Sequence, residues 1–237
     1  MFESIRVASV PRGSVLVLGY FQGEGLDKHS KELDNGGLAA AALKRGEATG
    51  DAGRITEIFP EGKGAPSRVL VVGLGKKEKF EAGSLRNIAA AIGRRLAATK
   101  DSAAQVELAG PCSAAKVDAE QAGSAFGEGL GLIGWVCDQF KGKATTAPAR
   151  AALKVDSSSR GFRDGMERGL GLAASANFTR TLSETPPNIA TPAYMADQAQ
   201  KMARKVGLKC TVMKGDALER EKFEGLINVG KASENKP

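Results

Sequence analysis

The amino-acid sequence predicts an α/β fold, with a mixed sheet in a first domain over residues 1–157 and the beginning of a second α/β domain over residues 158–237. Short apolar segments with strand spacing alternate with segments of helical spacing, which is typical of layered α/β architectures. The segment RVLVVG at 68–73 is apolar almost without interruption, as expected of a strand covered on both faces. Apolar residues at intervals of four, from Phe162 to Leu182, predict a long helix that connects the two domains.

The first domain is predicted to contain six strands. The segments SIRVASV at 4–10 and SVLVLGY at 14–20 flank a Pro-Arg-Gly sequence whose residue types favour a turn, so we expect them to form a hairpin. The apolar strand at 68–73 is expected to lie centrally in the sheet, because both of its faces need cover. The remaining strands are predicted at 54–59, 105–109 and 151–155.

Helical spacing occurs in three segments of the first domain. Residues 27–45 have this spacing, with an interruption at the Asn-Gly-Gly sequence of 35–37, and residues 118–140 form a glycine-rich helical segment. A third helix follows Ser84, whose hydroxyl is placed to cap the first turn. The apolar stripe of this third helix consists of Leu85, Ile88, Ala89, Ile92 and Leu96.

Three consecutive serines at 157–159 mark the break between the first domain and the second. Its long helix is expected to end before the two prolines at 186 and 187, and a second helix to begin with Thr191 as cap and to end at Gly207. The inner face of this second helix is predicted to consist of Met195, Ala199, Met202 and Val206. The segments that follow predict a right-handed parallel unit with a strand at 208–213, a helix at 216–222 and a strand at 225–230.

Composition places the chain among globular proteins, with 237 residues, 42% hydrophobic and 26% charged. Three widely spaced cysteines support neither a disulfide framework nor a thiolate zinc site, and no apolar run is long enough for a membrane helix. With no secretory signal pattern at the N-terminus, a cytoplasmic protein without membrane partners is expected. The net charge of +7 comes from basic residues that alternate with acids, as on solvated helix faces. These basic residues include Lys76, Lys77, Lys79, Arg94, Arg95, Lys201, Arg204 and Lys205.

Two glycine motifs resemble nucleotide sites but lack essential residues. GLINVGKA at 225–232 has the spacing of a phosphate-binding loop, yet Ala232 stands where Ser or Thr would hold magnesium, and the residues between the glycines favour a strand. Gly73 and Gly75 follow a buried strand as in a dinucleotide fingerprint, but Glu78 replaces the third glycine. We therefore expect strand exits at both places rather than phosphate sites.

Hydrolytic motifs are absent from the sequence. His29 is the only histidine, which excludes HExxH and other histidine-rich metal sites, and its polar surroundings predict a surface helix. The acids of the second domain alternate with basic residues as on a surface, so no residue is assigned as catalytic, cofactor-binding or metal-binding. The acids concerned are Asp197, Asp216, Glu219 and Glu221.

Residues 177–237 resemble the segment that opens the catalytic domain of the leucyl (cytosol) aminopeptidases. The resemblance rests on Arg180, on the Pro-Asn and Thr-Pro pairs of 187–192, on the Gly-Leu-Lys turn at 207–209, and on the Gly-Lys-Ala-Ser sequence of 230–233. Upstream, residues 125–141 and the apolar strand at 68–73 resemble the N-terminal domain of that family. Ser183-Glu184-Thr185 and Phe223-Glu224 depart from residues that are common in the family.

This resemblance implies a macro-domain-like N-terminal domain, assembly into hexamers and peptides as substrates. It also implies two divalent metal ions, zinc or manganese, held by a lysine and several acids in motifs such as NTDAEGR. None of these motifs occurs in the chain. We therefore expect the chain to bind no cofactor by itself and to act as a non-catalytic scaffold within the longer enzyme.

Two alternatives remain open from the sequence. The net charge favours a nucleic-acid-binding or regulatory module, because neutralising phosphates releases counterions. A macro-like fold suggests binding of ADP-ribose or another nucleotide, but this rests on analogy of fold alone.

Overall fold

The computed structural model describes residues 2–34, 36–140, 142 and 152–235. Asn35 of the predicted helix interruption and Ala151 of the predicted strand at 151–155 lie outside these residues. The described residues form two compact units. The first contains residues 2–136 and 152–177, and the second contains residues 178–235 together with 137–140 and 142.

A six-stranded mixed sheet forms the centre of the first unit, which confirms the predicted fold class. Its spatial order is β1-β6-β5-β2-β4-β3, and every neighbouring pair is parallel except β3 with β4. The strands β2 and β4 are buried along their whole length, as their continuous apolar sequences predict. The strands are β1 Ser4–Val7, β2 Val15–Tyr20, β3 Ile55–Ile58, β4 Val69–Gly73, β5 Ala103–Glu107 and β6 Ala152–Asp156.

Helices cover both faces of this sheet. Val15 and Val17 of the second strand face a core that contains Phe126 and Phe162, whereas Leu16 and Leu18 face a smaller core on the other side. This alternation follows from the two-residue period of a strand. The helices are α1 Lys28–Leu33, α2 Leu38–Ala42, α3 Ser84–Ala98, α4 Ala109–Ala114, α5 Ala119–Leu132, α6 Arg160–Glu184, α7 Pro192–Val206, α8 Asp216–Arg220 and α9 Glu224–Gly230.

Glycines allow the backbones of α5 and α6 to touch. A Cβ atom at Gly123 would overlap the carbonyl oxygen of Phe162, and one at Gly165 would overlap the carbonyl oxygen of Glu120. Because glycine occurs on both helices at this contact, the two axes approach more closely than larger residues would permit. The predicted long helix over 162–182 is confirmed, and its first half packs in the core through Phe162 and other apolar side chains.

The predicted hairpin between residues 4–10 and 14–20 is wrong. The turn forms, since the Ser14 N–H donates to the carbonyl oxygen of Pro11 at 3.2 Å, but the two strands do not pair. β1 pairs with β6 at the edge of the sheet, and β2 lies between β4 and β5. The residue types at 11–13 are sufficient to form the turn. The buried strand β2, however, needs a neighbouring strand on each side, and both of these strands come from distant parts of the sequence.

Two details of the predicted helices also require correction. Gly83, rather than Ser84, is the cap residue of α3, and the Ser84 hydroxyl instead accepts a hydrogen bond from the N–H of Glu81 at 3.3 Å. The predicted helix over 118–140 is shorter than expected, because α5 ends at Leu132. The short helix α4 was not predicted, because it contains a proline and a glycine in six residues.

In the second unit, α7 forms as predicted, whereas the strands do not. The Thr191 hydroxyl accepts a hydrogen bond from the N–H of Tyr194 at 3.3 Å, and Gly207 ends the helix with φ of 74°. The predicted strand at 225–230 is helical in α9, and residues 208–213 form no strand. Among the described residues, no strand follows Asp156, so a strand in this unit would have no partner.

The predicted inner face of α7 is also exposed. Met195 and Met202 are 41% and 40% exposed, and Val206 is 58% exposed, while Ala203 is the buried residue of this helix. The amphipathic pattern is present, but the described part of this unit supplies no layer to cover it. None of the helices in the described ranges is long and apolar enough to cross a membrane.

Candidate functional site

The carboxyl ends of the parallel strands carry a cluster of three polar side chains. In open α/β sheets this edge is where ligands usually bind. Glu107 ends β5, Ser158 follows β6, and His29 lies on α1 after β2. The Glu107 side chain is 3% exposed, whereas that of His29 is 47% exposed.

Hydrogen bonds compensate the buried Glu107 carboxylate. Its Oε1 atom accepts from Gln105 Nε2 at 2.5 Å and from the N–H of Ser158 at 2.8 Å. Its Oε2 atom accepts from the Ser158 hydroxyl at 2.5 Å and lies 3.4 Å from His29 Nε2. A buried charge is tolerated only with such partners, so the cluster ties α1 and the start of α6 to the sheet.

The geometry of this cluster does not fit a nucleophilic triad. In a triad the histidine stands between the serine and the acid and uses a different ring nitrogen for each. Here the same Nε2 atom lies 3.4 Å from the Ser158 hydroxyl and 3.4 Å from the carboxylate, and the hydroxyl donates directly to Glu107. Ser158 therefore lacks the histidine base, positioned by an acid, that a triad requires.

The cluster also falls short of a metal centre. It offers two good ligand side chains, His29 and Glu107, and no group of three or more His, Cys, Asp or Glu side chains occurs among the described residues. The sequence predicts a surface helix at His29, and the structure places His29 on α1 with about half of its side chain exposed. Sequence reasoning missed the contact with Glu107, although a glutamate at the end of a buried strand was an available indication.

The glycine pair after β4 permits a close approach of two backbone segments. A Cβ atom at Gly73 would overlap the carbonyl group of Gly50. Gly75 has φ of 81°, its N–H donates to the Gly50 oxygen at 2.9 Å, and its own oxygen accepts from Gln22 at 2.9 Å. The glycines thus serve the tight strand exit that the sequence predicts, in close contact with the backbone of Gly50.

One lysine near each glycine motif contacts groups of the chain itself. Lys77 lies 3.2 Å from the Glu24 carboxylate and 5.8 Å from the centre of the Phe21 ring. Lys231 follows α9, and its Nζ atom lies 3.3 Å from Asn228 Oδ1. The second motif therefore lies within and after a short helix and lacks the strand-to-helix loop that binds phosphate.

The remaining predicted candidates are surface or core residues. Asp197 pairs with Lys201 one turn later on α7 at 2.7 Å, as predicted for a solvated helix face. All three cysteines are free, and burial raises the pKa of the Cys112 thiol to about 12. Cys112 is therefore an unreactive core residue, while Cys137 and Cys210 are partly exposed.

Comparison with protein families matches most of the chain in two parts. The sequence model described as the cytosol aminopeptidase family, N-terminal domain, matches residues 17–144. The model described as the cytosol aminopeptidase family, catalytic domain, matches residues 177–237.

Individual relatives agree with this division. A probable cytosol aminopeptidase of Burkholderia orbicola is 29% identical over 238 residues, which cover 95% of this chain and 46% of the relative. A second, of Geobacter sulfurreducens, is 29% identical over 212 residues, which cover 85% of this chain and 40% of the relative. The chain thus spans less than half the length of these relatives.

Solved structures show the same fold at low sequence identity. The bottromycin maturation enzyme BotP superposes with a TM-score of 0.71 at 24% identity, over 94% of this chain and 44% of that enzyme. A mutant of tomato leucine aminopeptidase superposes with a TM-score of 0.69 at 18% identity, over 99% of this chain and 49% of that protein.

Proposed function

The chain belongs to the cytosol aminopeptidase family, as its resemblance to the leucyl aminopeptidases predicts. We propose that it is the N-terminal part of a two-metal exopeptidase, an enzyme that removes N-terminal amino acids from peptides. The observation that carries this proposal is the pair of family matches, to an N-terminal domain and then to part of a catalytic domain. The relatives, of which the chain spans less than half, are named as probable cytosol aminopeptidases.

Within this proposal, residues 1–157 are the macro-domain-like N-terminal domain. Residues 158–237 are the interdomain helix and the beginning of the catalytic domain. Two observations support a boundary in this region: the match to the N-terminal domain ends at residue 144, and α6 begins at Arg160. The match to the catalytic domain begins at residue 177, within α6.

The described residues do not fit a two-metal centre. Two metal ions that polarise a peptide carbonyl and generate hydroxide need several carboxylate, lysine or histidine ligands around one point. No group of three or more His, Cys, Asp or Glu side chains that could hold a metal ion occurs in the part of the chain that the structure describes. We therefore derive no step of peptide hydrolysis from these residues and assign them the role of a non-catalytic scaffold.

The longer protein would bind two zinc or manganese ions and take peptides as substrates. A solved structure of BotP contains manganese, which supports this metal for the longer protein. The names of the relatives support a cytoplasmic location. A homo-oligomer, and specifically a hexamer, is the proposed assembly, in which the scaffold would contribute to packing and to access to the active site.

A peptidase assay tests this proposal. The chain alone should not hydrolyse leucine amide in the presence of added manganese or zinc, because its described residues provide no two-metal ligand set. A fusion of the chain to the remaining portion of the Burkholderia orbicola relative should hydrolyse leucine amide. Manganese and zinc are tested in parallel. Turnover by the chain alone would contradict the scaffold role.

Nucleic-acid binding is a second candidate function, favoured by the net charge of +7. Arg204 and Lys205 are exposed in the last turn of α7 and would be available to phosphates. Affinity for duplex DNA that falls steeply with salt would support this function, and negligible binding at low salt would remove it.

A further inference from the structure

The second unit contains an apolar groove of about 450 Å³. Met195 of α7, Val212 and Met213 of the following segment, and Leu226 of α9 line it, with Lys214 as the charged residue of the lining. These residues come from three separate stretches of sequence, so the groove is a product of the fold of this unit. Its lining is mostly hydrophobic, which is typical of a surface that another protein segment covers.

Several apolar side chains of the groove and of α9 have little cover from their own unit, although Leu218, which also lines the groove, is buried. Leu226 and Met213 are 54% and 43% exposed, and Val229 is 87% exposed. In the described part of this unit, the side chains of Thr185, Ala203 and Leu218 alone are buried. A segment of this size with so few buried residues lacks a core of its own, because small domains must bury most of their apolar residues to be stable.

The helix beside the groove is poorly stabilised in its present form. α9 has seven residues and begins without a side-chain cap, and none of its residues is buried. A helix this short is marginal unless it packs against other elements. Little stability is therefore lost if residues 224–230 rearrange when a partner covers them.

We propose that this groove binds the polypeptide that completes the catalytic domain in the longer relatives, and that it does so even when the two portions are separate chains. The inference rests on the proposed function. The same stretch matches part of the catalytic domain, and the chain spans less than half of the relatives, so the occupant is the rest of that domain. Its contact surface should present apolar side chains to Met195, Met213 and Leu226, with an acidic group toward Lys214.

The thiol of Cys210 reports on this contact. Cys210 lies in the segment that leads to Val212 and is partly exposed, whereas Cys112 is buried in the other unit. In a fusion to the remaining portion of the Burkholderia orbicola relative, alkylation of Cys210 should be about tenfold slower than in the chain alone. A covered thiol reacts only when the segment that carries it opens transiently. Cys112 should stay unreactive in both proteins.

A charged residue in the groove should prevent the contact. With the remaining portion co-expressed as a separate chain, the tagged chain should retain it in a one-to-one complex, and Leu226→Lys should reduce retention at least about tenfold, since a lysine would lie against apolar side chains. Phe59→Lys is the matched control, because Phe59 is 68% exposed in the other unit and should leave retention unchanged. Circular dichroism checks that both variants fold.

The outcomes separate this inference from the proposed function. Protection of Cys210 and retention of the separate chain without peptidase activity would support the groove and contradict the function. An active fusion whose Cys210 reacts as fast as in the chain alone would contradict the groove and support the function. A dimer of the isolated chain that Leu226→Lys dissociates would show a second copy in the groove and overturn the proposal.

Discussion

At the scale of single residues, Glu107 is the most informative position in the first unit. Its carboxylate is buried and receives hydrogen bonds from Gln105 and from both the N–H and the hydroxyl of Ser158. The cluster lies at the edge where this class of sheet binds ligands, but its polar atoms form hydrogen bonds with one another. The sequence shows a glutamate at the end of a strand, and only the structure reveals that three segments converge on it.

Replacing this carboxylate should destabilise the first unit. Glu107→Ala removes the carboxylate that accepts three hydrogen bonds, and hydrogen bonds to a charged group contribute more than neutral ones, so we expect a loss of about 2–3 kcal/mol in the free energy of unfolding. Urea denaturation followed by circular dichroism measures this loss. Glu61→Ala, at an exposed loop position, should change the stability by less than about 0.5 kcal/mol. Equal stability of the two variants would show that the cluster does not hold α1 and α6 to the sheet.

At the scale of elements, the sequence predicts helices with local start and end residues better than it predicts strand partners. The hydroxyl of Thr191 and the left-handed Gly207 bound α7 as expected, because capping depends on neighbouring residues. Strands depend on distant partners. SIRVASV forms a strand, but with β6 rather than with the next segment. GLINVG is helical, and the described residues of its unit contain no strand with which it could pair.

The contact between α5 and α6 allows a prediction within one helix. Gly165→Ala would place a methyl group against the backbone of Glu120, so the helices must separate, at a cost of about 1–3 kcal/mol. Gly171→Ala lies on the same helix with no atom within 4 Å of the new methyl group, and should stabilise the protein by up to about 1 kcal/mol. Thermal unfolding of both variants measures the difference. Two equal shifts in the same direction would contradict the close backbone contact.

At the scale of the whole molecule, the two units differ in how completely they bury their apolar residues. The first contains a continuous core on both faces of its sheet, and the second leaves most of its large apolar side chains exposed. The sequence predicts the fold class and the family from local patterns and motifs. It could not predict that α7 and the residues after it would lack cover in the described structure, because burial depends on contacts between distant segments that local patterns do not show.

The central claim is that these residues are a scaffold and that two-metal chemistry needs ligands from elsewhere. Titration of the chain with zinc or manganese in a calorimeter tests this claim most directly, since it needs neither substrate nor turnover. The claim predicts no stoichiometric binding of metal to the isolated chain, because the described residues bring no three ligand side chains together. Tight binding of two ions per chain would contradict it.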